Sequence, residues 1–98
     1  MKVIDFFKDL FNKVLKNEIN VKKFDKDFNA AFFNDTFMEP ISRAEFHIID
    51  ELWGYLEFYE PNKRKRESWE MLIDEKKVLR RVKIALNKLK KLERQVKK

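Results

Sequence analysis

The sequence predicts an all-α protein, and three observations carry that expectation. A single Gly and two Pro among 98 residues leave little material for the tight turns that hairpins and sandwiches need. Apolar side chains recur at i, i+3, i+4 and i+7 along most of the chain, the period of a helix with one buried face. The polar remainder is rich in Lys and Glu, which lose little rotamer freedom in a helix. Hydrophobic residues make up 44%, ten of them Phe, so the chain collapses into a core instead of staying disordered. Its length suits one domain, and residues 1–98 are read as a single unit.

The first helix is expected over about residues 3–17, with Val3, Ile4, Phe7, Leu10, Phe11, Val14 and Leu15 on its apolar face. A turn through Asn17 to Asn20 follows. There Asn20 can accept from the backbone of the next helix, while Ile19 packs on Phe24 as a hydrophobic staple. That second helix is expected over 21–34, on the stripe Val21, Phe24, Phe28, Ala31 and Phe32, and the cluster Asn34, Asp35 and Thr36 ends it. Ser42-Arg43-Ala44-Glu45 is a capping box, flanked by a staple from Ile41 to Phe46. It opens a third helix over 42–60 that carries Phe46, Ile49, Leu52, Trp53, Leu56 and Tyr59 toward the core. Pro61 stops that helix, because its ring disfavours helix in the preceding residue. Residues 62–73 have no sustained period, so Lys63-Arg64-Lys65-Arg66 is expected in a solvated loop, with a short helical turn near Trp69. Asp74 then caps a last helix over 75–97, stapled from Ile73 to Val78, with Val78, Leu79, Val82, Ala85, Leu86, Leu89, Leu92 and Val96 inward. Four amphipathic helices on short connections are expected to form an antiparallel four-helix bundle, the basic end of the last helix overhanging it.

Cysteine is absent, which excludes disulfides, thiolate metal sites and cysteine nucleophiles; a reducing cytoplasm is the expected location. The opening MKVIDFFKDLF carries acids inside its apolar stretch, and no apolar run approaches the length of a membrane span, so neither a signal peptide nor membrane insertion is expected. His47 is the one histidine and has no second His or Cys with which to build a dyad or a zinc set. No catalytic residue, metal site or cofactor is expected, and the chain is not expected to be an enzyme.

Charge is divided along the sequence. Residues 1–60 hold 8 Lys/Arg and 12 Asp/Glu, a net of −4, whereas residues 61–98 hold 15 and 5, a net of +10. The basic run 63–66 and the tail Lys88, Lys90, Lys91, Arg94, Lys97 and Lys98 could contact phosphates. The last helix, however, alternates its charges around a regular stripe, as a solvated helix does, and cations near a helix end complement its dipole. No base-reading helix stands out, so nucleic acid is not the expected partner. The acids of the third helix are the better candidate. On a wheel of about 100° per residue, Asp50, Gly54 and Glu57 share one flank of the core stripe, while His47, Glu51 and Phe58 lie opposite the core. Acids beside aromatics, with Tyr55 and Tyr59 close by, have the composition of an interface whose charges steer a basic partner. Phe58 is either an anchor for that partner or a ring that closes on the loop around Trp69.

Several segments resemble the colicin D immunity protein family. They are Ile19-Asn20-Val21 ahead of Phe24 and Phe28, then Ser42 to Phe46, Asp50-Glu51-Leu52-Trp53, and Glu57-Phe58-Tyr59-Glu60-Pro61. Ile73-Asp74-Glu75 leading into Val78-Leu79-Arg80 and Val82 to Leu89 looks like the family's last helix, so the resemblance covers about residues 3–90. It implies a small cytosolic four-helix inhibitor that protects its own cell from a bacteriocin or contact-dependent nuclease, typically an anticodon-loop tRNase. The inhibitor plugs the toxin's basic active site, its acids standing in for phosphates. Carried onto this sequence, the partner-binding positions are Asp50, Glu51, Glu57 and Glu60 with Tyr59, and Phe58 joins them from the wheel. The expected partner is a cognate toxin with a basic nuclease domain, bound by a monomer in preference to a dimer. Two rival readings are an immunity protein against a membrane-active peptide bacteriocin, and a basic helical RNA-binding or ribosome-associated module built on 63–66 and the tail.

Overall fold

A computed structural model describes residues 3–32 and 41–96. The described residues form five helices: α1 (Val3–Leu15), α2 (Val21–Phe32), α3 (Arg43–Leu56), α4 (Lys63–Glu67) and α5 (Glu75–Val96). The protein is all-α, and no described helix is long and apolar enough to cross a membrane. The expected ends of the second and last helices at 34 and 97, with the loop from 35 to 40, lie outside the described residues.

The caps stand where the side chains dictate. Asn20 Oδ1 accepts from the Lys23 N–H at 2.7 Å, and Asp74 Oδ1 from the Lys77 N–H at 3.0 Å. At the start of α3 the Ser42 hydroxyl accepts from the Glu45 N–H at 3.1 Å, and Glu45 Oε1 accepts from the Ser42 N–H at 2.8 Å, a reciprocal capping box. The first helix ends at Leu15, the last residue of its apolar stripe, and not at the expected residue 17. Asn17 adopts φ 63°, a left-handed conformation that Asn tolerates better than most residues, and the chain turns there with the Glu18 N–H on the Lys13 carbonyl at 2.9 Å.

Helix α5 is the element that the other three long helices pack against: α1, α2 and α3 all contact it, and α1 also contacts α2. Its Val78, Val82, Ala85, Leu86 and Leu89 are buried, opposite Ile49, Leu52 and Leu56 of α3 and a block of phenylalanines from α1 and α2. Phe7, Phe11, Phe24 and Phe28 touch one another with ring centroids 5.5–6.4 Å apart, and Phe11, Phe24 and Phe28 are wholly buried. The expected overhang of α5 is shorter than its length suggests, since Leu92 is half-buried and Glu93 pairs with Lys8 of α1.

Two further expectations are corrected. The third helix closes at Leu56, not at residue 60, because the backbone of 58–60 bonds elsewhere: the Phe58 carbonyl accepts from the Ile73 N–H at 2.7 Å and the Glu60 N–H donates to the Ile73 carbonyl at 3.1 Å. This parallel bridge ties the exit of α3 to the entry of α5. The Lys63–Arg66 run is helix α4 and not a loop, with Asn62 Oδ1 accepting from the Arg64 and Lys65 N–H groups at 2.9 and 3.4 Å. Asn is a strong cap, and Lys and Arg are good helix formers once a cap starts them.

Replacing Phe28 with Ala removes the ring that Phe7, Phe11 and Phe24 all pack on. It should cost about 3–5 kcal/mol of stability, read as a large drop in the denaturation midpoint.

Candidate functional site

The six residues singled out from the sequence fall into two groups. Asp50, Glu51 and Glu57 are exposed; Phe58, Tyr59 and Glu60 are half-buried. The division follows from where α3 ends. Asp50 and Glu51 lie within the helix, and Glu57 caps it, its N–H shared between the Trp53 and Tyr55 carbonyls. Beyond that point the wheel no longer applies, and each side chain turns toward the segment ahead of α5.

Phe58 does not stand out into water as its wheel position implied. Its ring meets Trp69 edge-on with centroids 5.6 Å apart, and it packs against the core from outside. Of the two readings of this residue, the closing contact with the loop is the one observed. Tyr59 donates its hydroxyl to Glu75 Oε1 at 3.2 Å. Burial, followed by the charge of Glu75, pushes the phenol up to about 12. Glu60 accepts from the Asn62 N–H through Oε1 at 3.1 Å, and its carbonyl accepts from Arg66 Nη1 at 2.7 Å. These three residues therefore fasten the α3–α4–α5 corner.

The exposed acids differ from one another. Glu51 Oε2 lies 3.5 Å from Lys88 Nζ of α5, a surface pair that neutralises part of its charge. It borders a shallow groove between α3 and α5 lined by Ile48, Leu52, Tyr55 and Arg81. In that groove the Arg81 guanidinium sits 4.1 Å from the Tyr55 ring centre. Asp50 and Glu57 have no ion-pair partner among the described residues. Between them lies Gly54, and no atom comes within 4 Å of the position a Cβ would take there. Phe46, expected in the core, is 47% exposed at the same end of α3 as Arg43 and His47. It falls on the edge of the stripe, about 60° from Ile49 on the wheel, close to the flank that holds Asp50 and Glu57.

Between that flank and the core stripe, the Trp53 indole N–H donates to Asn29 Oδ1 at 2.9 Å, and Asn29 Nδ2 donates to the Asp25 carbonyl and carboxylate at 2.8 and 3.0 Å. Burial raises the Asp25 carboxyl above the usual range, and the hydrogen bond from Asn29 opposes that rise. This chain of bonds ties the Trp53 side of α3 to α2. The amphipathic period shows that Trp53 borders the core; the period alone does not pair it with Asn29, 24 residues away.

No protein-family model, curated protein or solved structure matches this chain.

The raised Tyr59 pKa has a sign that can be checked. A phenol that titrates higher in the folded state than in the unfolded chain contributes stability that is intact below about pH 10. That contribution is lost as pH rises through about 12. The phenolate absorbance difference between the wild type and Tyr59→Phe should have its midpoint near 12; a midpoint at the free-tyrosine value contradicts the Tyr59–Glu75 contact.

Proposed function

We propose that this chain is an immunity protein. It binds a cognate bacterial toxin with a basic nuclease domain, of the tRNase type, and inhibits it stoichiometrically in the cytoplasm without catalysing a reaction. In this reading α1, α2, α3 and α5 form the antiparallel four-helix bundle, and the outer flank of α3 is the face offered to the toxin. Asp50 and Glu57 are its primary acids, Glu51 is secondary because of Lys88, and Phe58, Tyr59 and Glu60 hold the edge of the face in place.

The reading rests on Gly54. Glycine inside a helix costs about 1 kcal/mol relative to alanine, and a fold tolerates it where a neighbour comes too close for a methyl group. Around Gly54 the protein itself supplies no such neighbour. A glycine that the fold does not require, set between two unpaired acids on an exposed helix, fits a partner whose own chain approaches the helix backbone there. The acids then attract the basic domain and the close approach holds it.

Gly54→Ala should therefore move stability and inhibition in opposite directions. The variant unfolds at higher denaturant, by about 1 kcal/mol, yet protects cells producing the cognate toxin less well. Exchanging Asp50 and Glu57 for Lys should abolish protection with the helical circular-dichroism signal unchanged. Full protection by both proteins would remove this face from the mechanism.

A further inference from the structure

The basic third of the chain is spread over 38 residues of sequence, but the fold gathers part of it at one corner. Arg66 at the end of α4 and Lys76, Lys77 and Arg80 in the first turns of α5 line one open hollow of about 380 Å³, together with Leu72 and Ile73. Lys63, Arg64 and Lys65 continue the positive charge along α4, all three exposed. Asp74 also lines the hollow, and its Oδ1 is taken up in capping α5 through the Lys77 N–H. Glu75 is held by the Tyr59 hydroxyl. Among the described residues, Lys76, Lys77 and Arg80 form no ion pair. Arg66 is fixed in place by the bond from Nη1 to the Glu60 carbonyl, which orients its guanidinium at 2.7 Å from a rigid backbone atom.

Apolar surface lies next to this corner along the chain, where the Trp69 N–H donates to the Arg66 carbonyl at 3.4 Å. Trp69 and Met71 are each 53% exposed, whereas most other large apolar side chains among the described residues are covered. The edge contact with Phe58 holds the Trp69 ring without covering it. Cations gathered on one hollow, with an exposed aromatic ring held three residues beyond Arg66, match the repeating unit of a nucleic-acid strand, in which a phosphate is followed by a base with a flat π-face.

We propose that the α4–α5 corner is a binding site for single-stranded nucleic acid. Its phosphates are held by Arg66, Lys76, Lys77 and Arg80, and a base stacks on Trp69. The site is separate from the acidic flank of α3, and its occupant is the chemical opposite of the toxin domain proposed for that flank. It also departs from the sequence-based expectation, because the solvated-loop reading of 63–66 gave no reason for that run to meet the start of the last helix.

The test titrates the full chain into fluorescein-labelled oligouridylate of about 12 nucleotides, a length that covers one such site, and follows anisotropy. With four phosphates neutralised, raising salt from about 50 to 200 mM should weaken binding about 50-fold. In the Lys77→Ala/Arg80→Ala double variant the same step should weaken it only about 7-fold. Trp69→Ala should lose about tenfold in affinity, and the quenching of tryptophan emission on binding should disappear with it. The wild-type salt slope and quench stand alone should a variant fail to fold. No binding at the lower salt, binding to phosphatidylserine vesicles in place of RNA, or RNA binding unchanged in the folded variants would each overturn the proposal.

Discussion

One apolar stripe on one helix holds the protein together. Val78, Val82, Ala85, Leu86 and Leu89 of α5 are buried at every turn, and α1, α2 and α3 each pack against that helix. The buried positions run from Val78 to Leu89, three turns of the helix that Asp74 caps. Because the inward positions are occupied by aliphatics, the many Lys and Arg residues of α5 are confined to its outer surface. The same constraint that builds the core therefore produces the basic surface. The acids are confined in a similar way by α3, whose inward positions are Ile49, Leu52 and Leu56.

A second constraint, local and polar, decides what the outer surface can do. The bridge between Tyr59 and Ile73 closes the excursion from Glu60 to Leu72 at its base. It draws Phe58 onto Trp69 and Tyr59 onto Glu75, and it brings α4 with Arg66 up to the first turns of α5. A continuous acidic-aromatic segment in the sequence is thereby cut in two. Its first part remains on the helix surface with Asp50 and Glu57, and its second part becomes the fastening of the corner.

Much of the fold was legible in the sequence because it rests on local rules. Asn20, Ser42 with Glu45, and Asp74 all cap as their spacing requires, and the apolar stripes lie on the buried faces. What escaped was set by contacts between distant residues. The hydrophobic period continues past Leu56 to Tyr59, so nothing in the pattern marks where the Ile73 backbone captures the chain. Four successive cations give no amphipathic signal, so α4 is marked only by the cap at Asn62. Phe46 fits the stripe by spacing but lies at its margin and is 47% exposed. Within the candidate site the acids were legible as exposed, and Gly54 was visible on their flank. The open space around Gly54 is a property of the packed molecule alone.

The central claim is that the α3 flank binds a toxin. Its most direct test captures the tagged protein from a nuclease-treated lysate of its native host, alongside the variant with Lys at positions 50 and 57, and quantifies what each retains by mass spectrometry. The account predicts one large protein with a basic nuclease domain, held by the wild type at near-equal stoichiometry and missing from the variant. Equal retention of that protein by both, or recovery of ribosomal proteins alone, would contradict it.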